Sequence, residues 1–206
     1  MKRNKIQFFL VVIFFATVHS SCSKKKGINT VAEYISVVQN PENGLSTSKK
    51  IEDFEFSVLY KPLDYIIALE NKDNKVSKDS INKRKQQLEG YQYYTFRLKS
   101  SKDNEFFRTG MNSENEYYER LEYFVTNAQD DIYLIDGTDT LTCELYHFER
   151  NYGISPYSNI VLAFKQKNET EVKGKTFIYD DKILGVGKIA LKINAKDIID
   201  LPKLEI

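Results

Sequence analysis

The chain has 206 residues with 30 basic and 29 acidic side chains, a net charge of +1, and so lacks the basic excess that marks a nucleic-acid partner. Its length is enough to bury an adequate core, and two cysteines make no disulfide framework, so stability need not come from disulfides or metal. Fourteen Tyr and 13 Phe without Trp favour a β-rich domain, because aromatic side chains fit the pleated surface of a sheet.

Lys2, Arg3 and Lys5 precede an apolar run from Phe8 to Val18 that stops at Ser20, Ser21 and Cys22. As a helix this run would be about 16 Å long against a hydrocarbon core of about 30 Å. It is too short to span a bilayer and reads as an export signal. The placement of Ser20, Ser21 and Cys22 after the apolar run resembles the lipobox of bacterial lipoproteins, and the likeness covers the signal alone. That resemblance implies removal of residues 1–21 as a signal peptide, lipidation of Cys22 on sulfur, and sorting to the outer membrane through Ser23. The membrane is then a partner through the lipid anchor, and Lys24, Lys25 and Lys26 form a solvated tether beside it. The alternative is ordinary cleavage near Ser20, which releases a soluble protein and leaves Cys22 able to pair with Cys143 in an oxidising compartment.

Thr30 and Glu33 have capping-box spacing ahead of Tyr34, Ile35, Val37 and Val38, which predicts a short helix ending before Pro41. Residues 22–50 are thus expected to form a lipidated tether with one short helix, and 51–206 a single α+β globular domain. Phe54, Phe56 and Val58 alternate as a half-buried strand, and Pro62 opens a helix through Leu63, Ile66, Ile67 and Glu70. Asp79 or Ser80 is expected to cap a second, exposed helix to Glu89. Gln92 to Leu98 reads as a strand with Tyr93, Thr95 and Arg97 on one side. Ser113 and Glu116 start the strongest helix, with Tyr117, Leu121, Phe124 and Val125 on one face.

From Asp131 onward the pattern is strands: 132–135, 141–149, 160–165, 176–179 and 188–193, with turn residues between them. In the second of these, Cys143 is expected on the face of Leu141 and Leu145 as a small buried hydrophobe. Consecutive strands without intervening helices predict an α+β fold, with an antiparallel sheet or sandwich-like C-terminal half and helices clustered in the N-terminal half.

Candidate sites are few. His19 leaves with the signal, so His147 is the lone histidine of the mature chain, which excludes zinc centres built from several histidines. Gly185, Gly187 and Ala190 match a loose dinucleotide fingerprint, but an alternating strand follows where a helix is required, and a turn explains them better. Asp130, Asp131, Asp136 and Asp139 are the weak candidates for a cation, with Asp136 and Gly137 equally serving as a hairpin turn. Asp180 and Asp181 are a weaker carboxylate pair. No catalytic or cofactor-binding residue is assigned, and no cofactor is expected. The chain therefore reads as a membrane-anchored, non-enzymatic binding or assembly subunit of a cell-envelope complex, with an envelope protein as partner. The rivals are an anchored glycan hydrolase using paired carboxylates and a receptor for an extracellular ligand.

Overall fold

A computed structural model of the chain describes residues 27–73, 76–151, 154–167 and 171–205. The residues read as an export signal, Cys22, and Lys24, Lys25 and Lys26 lie outside the described residues. The elements run α1 (Val31–Gln39), β1 (Ser46–Ile51), β2 (Phe54–Lys61), α2 (Leu63–Glu70), α3 (Lys78–Leu88), β3 (Tyr91–Ser100), α4 (Glu114–Thr126), β4 (Ile132–Asp136), β5 (Asp139–Glu149), β6 (Tyr157–Lys165), β7 (Lys175–Asp180), β8 (Lys188–Ile193) and α5 (Ala195–Ile199).

The fold is α+β, built on one antiparallel sheet of eight strands in the order β1-β2-β3-β6-β5-β4-β7-β8. The two edge strands curl toward each other until Cα atoms of β1 and β8 come within 8 Å, so the sheet is nearly a barrel. An eight-stranded barrel encloses a space that side chains can just fill, and here they do. Phe56, Val58, Phe96, Leu98, Leu162, Phe164, Leu134 and Phe177 are buried inside it. Phe96 and Phe177 meet with ring centroids 4.8 Å apart.

Of the two expected arrangements, an antiparallel sheet or a sandwich-like C-terminal half, the structure has the sheet and not the sandwich. Three of the eight strands come from the first half of the chain, and one continuous curled sheet, rather than two stacked ones, surrounds the core. The helices are not confined to the N-terminal half either, since α4 and α5 follow β3 and β8. Curling brings together the inner faces of all the strands, which makes a second sheet unnecessary for burying them.

α4 closes one mouth of the barrel. Leu121, Tyr123, Phe124 and Ala128 pack with Phe106 and Phe107 from the preceding 3-10 turn. The chain between β3 and α4 is pinned by buried Arg120, which donates to the carbonyls of Phe107 (3.2 Å) and Thr109 (2.7 Å) and pairs with Glu116. Val125, expected in the buried stripe, is exposed; Arg120 and Tyr123 turn inward in its place.

The helix starts follow local chemistry. Thr30 Oγ1 accepts from the Glu33 N–H and Ser113 Oγ from the Glu116 N–H, both at 3.3 Å. In α3 the cap is Ser77, which accepts from the Ser80 N–H, rather than Asp79 or Ser80. α1 lies on α2, where Val31, Tyr34 and Val38 share a small core with Tyr65, Ala68, Leu45 and Leu204. α3 adds Ile81 and Leu88 beside Ile67. Together α1 and α2 stand over part of the outer face of the sheet.

A bulge in β5 decides the fate of its side chains. Cys143 pairs with inward Phe164, whereas Leu145 pairs with Ala163, so the register shifts between them. Leu145 therefore points outward and is exposed, while Leu141 and Cys143 stay buried. Burial pushes the Cys143 thiol up to about 12.

Candidate functional site: a polar cleft on the outer face of the sheet

The alternation that buries Phe56 and Val58 sends Ser57, Leu59 and Lys61 to the outer face of β2, and the adjacent strands obey the same period. The register then sets two rows. Ser57, Arg97, Asn159 and Glu149 stand opposite one another across β2, β3, β6 and β5; Leu59, Thr95, Val161 and His147 form the next row. α1 contributes Gln39, the turn after it Pro41, and α2 contributes Tyr65 and Leu69 as the opposing wall. The wall is tied together by the Gln39 side-chain amide, which donates to the Tyr65 hydroxyl at 2.9 Å. Between wall and sheet lies a cleft of about 570 Å³, a size suited to a small-molecule ligand.

Its floor is ordered by hydrogen bonds. Arg97 Nε donates to Asn159 Oδ1 at 3.0 Å, and Asn159 Nδ2 donates to Glu149 Oε2 at 3.0 Å. The Arg97 guanidinium also lies over the Tyr157 ring, 4.1 Å from its centroid, a cation–π contact that restrains this exposed side chain. Its terminal nitrogens donate to none of the described residues, and no carboxylate lies within ion-pair distance of it among them.

Lys61 ends β2 immediately before Pro62 and α2 and lines the cleft. Burial disfavours its charged form, and the more distant carboxylates of Glu149 and Glu70 oppose that effect only in part. Glu70 is itself engaged by Arg84, whose Nε and Nη2 donate to it at 2.9 and 2.8 Å. Lys61 forms no close ion pair among the described residues. The cleft thus has two cations, one carboxylate and several hydroxyl and amide groups.

The sequence-derived candidates are dispersed. Asp136 is buried at the far end of β4, where it pairs with Lys175 and accepts from Gln92 Nε2 at 2.5 Å. Asp131 accepts from the Tyr123 hydroxyl at 2.8 Å, Asp139 from Lys167 at 2.5 Å, and Asp130 is exposed. No three His, Cys, Asp or Glu side chains among the described residues come together as a metal site.

Asp180 pairs with Lys182 at 3.0 Å, and this partner holds its carboxyl below the usual range. Asp181 accepts from the Tyr179 hydroxyl and from the N–H groups of Ile183, Leu184 and Val186, so it shapes the turn containing Gly185. Gly185 and Gly187 have φ of 76° and 69°, which fits their reading as turn residues ahead of β8. His147 is exposed on β5 and lies outside the cleft lining.

Lys61, Arg97, Glu149 and Asn159 were not singled out by sequence. The period-two pattern did place Arg97 and Thr95 on one face, but Glu149 and Asn159 join them only through the pairing of β3 with β6 and of β6 with β5.

No family model and no curated protein matches this sequence. Among solved structures, the chain is similar to a protein from Burkholderia pseudomallei K96243 described as a novel protein of unknown function. The two are 12% identical, with 84% of this chain and 94% of that chain covered and a TM-score of 0.38. A likeness of that degree carries no argument about activity.

Proposed function

We propose that the protein is a lipid-anchored component of the cell envelope, held at the outer membrane through Cys22, and that it acts as a non-enzymatic binding subunit. The observation that supports binding is the cleft over β2, β3, β6 and β5, with an Arg97 guanidinium held in place and left without an anionic partner among the described residues. Glycan hydrolysis by the usual route needs two carboxylates flanking the bond. Glu149 is the sole carboxylate lining this cleft among the described residues, which favours binding over hydrolysis. The large exposed apolar side chains, such as Tyr118, Val125, Leu145, Ile154 and Ile199, are distributed over α4, β5, the 150s loop and α5. Ligand capture is therefore favoured over docking of a protein on the described surface, and an envelope protein would be the recipient of what is captured.

The test has two parts. Cys22→Ser should move the protein from the membrane to the soluble fraction. The wild-type protein purified from membranes should carry a small molecule, detectable by native mass spectrometry, that Thr95→Trp, which fills the cleft floor, excludes. Retention of Cys22→Ser in the membrane would overturn the anchor, and identical ligand loading of Thr95→Trp would overturn the cleft.

A further inference from the structure

We infer that the ligand of this cleft is a hydroxylated monocarboxylate, the chemical class of the acidic sugars, whose carboxylate docks on the terminal nitrogens of Arg97, in a lining to which Lys61 adds a second positive charge. This rests on reading the cleft as the binding surface. Arg97 spends Nε on Asn159 and its face on Tyr157, which leaves the end of the guanidinium as a two-pronged donor. A planar fork of this kind matches two oxygens of one oxyanion, and fixing it in advance lowers the entropy lost on binding.

Lys61 adds a second cation to the same lining, four residues along β2 from Ser57, the ladder partner of Arg97. At that separation it favours an anion in the cleft through longer-range attraction.

The charge of the lining sets the valence. Lys61 and Arg97 against Glu149 leave one net positive charge. A carboxylate neutralises that, whereas a phosphate monoester carries about −1.5 to −2 at neutral pH and would meet the Glu149 carboxylate as well. The remainder of the surface is Gln39, Ser57, Thr95, Tyr65 and Asn159, which offer hydroxyl and amide groups to a ligand rich in hydroxyls.

Isothermal titration of the full-length protein in detergent, with glucuronate, glucose and glucose 6-phosphate as probes, tests the inference. Glucuronate should bind about tenfold or more tightly than glucose, the gain of one charge-assisted bidentate contact, and more tightly than the phosphate ester. Arg97→Gln should remove that preference, whereas Lys99→Gln, an equal loss of charge on β3 outside the cleft lining, should keep it.

Glucose binding as tightly as glucuronate, with both lost in Thr95→Trp, overturns the anionic ligand and leaves the cleft as a binding site. Glucuronate binding equally well to Thr95→Trp overturns the cleft itself. Tighter binding of the phosphate ester, undiminished affinity in Arg97→Gln, or no binding of glucuronate each overturns the inference.

Discussion

Asp136 and Lys175 face each other across the β4–β7 ladder with both side chains buried, and their charged ends are paired inside the barrel. Gln92 donates to the second carboxylate oxygen at 2.5 Å, and the Tyr94 hydroxyl donates to Gln92 Oε1 at 3.1 Å. The network closes the end of the barrel opposite α4 with polar groups that satisfy one another.

Removing one member leaves a charge without its partner. Lys175→Met should destabilise the fold by about 3–5 kcal/mol, and Asp136→Asn combined with Lys175→Met should recover part of that loss, because the amide carries no charge while its oxygen still accepts from Gln92. Urea denaturation of the two variants beside wild type checks this. Additive losses in the double variant would sink the account.

The barrel interior should dominate stability. Phe96 is fully buried and stacks near Phe56, Phe177 and Tyr179. Phe96→Ala should cost about 3–5 kcal/mol, while Tyr118→Ala on the exposed face of α4 should stay within about 0.5 kcal/mol. Thermal or denaturant unfolding distinguishes the two, and a cost for Tyr118→Ala matching that of Phe96→Ala would show that α4 is packed the other way round.

Cys143 should be chemically quiet. With its thiol pushed up to about 12 by burial, almost none is thiolate at neutral pH, and thiolate is the reactive form. Iodoacetamide should label Cys143 in denaturant and leave it intact in the folded protein at pH 7.5, as read by peptide mass spectrometry. Rapid labelling of the native protein would contradict the inward position set by the β5 bulge.

Lys61 should trade stability for binding. Its folded pKa lies below the ordinary lysine value, so the unfolded chain holds the proton more tightly. The strain from its charge is fully present below the folded pKa and fades as pH rises toward the unfolded one, near 10.5. Lys61→Met should therefore be as stable as wild type or more so at pH 7, within about 1 kcal/mol, and weaker in anion binding. The stability difference should shrink as pH is raised through the alkaline range toward 10.5. Unfolding midpoints across that range, beside a glucuronate titration at pH 7, make the comparison; a less stable Lys61→Met at pH 7 would count against a desolvated ammonium.

Local features were legible because their causes are local. The alternation Phe54, Phe56, Val58 became β2 and the Ser113–Glu116 spacing became the start of α4, since side-chain period and capping act over a few residues. β1 escaped notice because Ser46–Ile51 is polar and carries no apolar alternation; it is a strand through its backbone ladder to β2. α5 has only five residues after β8, too few for a periodic signal.

By itself, the sequence determined the near-neutral charge, the pattern resembling an export signal and lipobox, and which face of most strands is apolar. Tertiary structure alone decided that the strands share one curled sheet and that the β5 bulge turns Leu145 outward. It also decided that Arg97, Asn159 and Glu149 meet under α1 and α2. The reason is distance along the chain. Arg97 and Asn159 are 62 positions apart, and the pairing that joins their strands depends on which surfaces the whole chain can bury together, information that no short window contains.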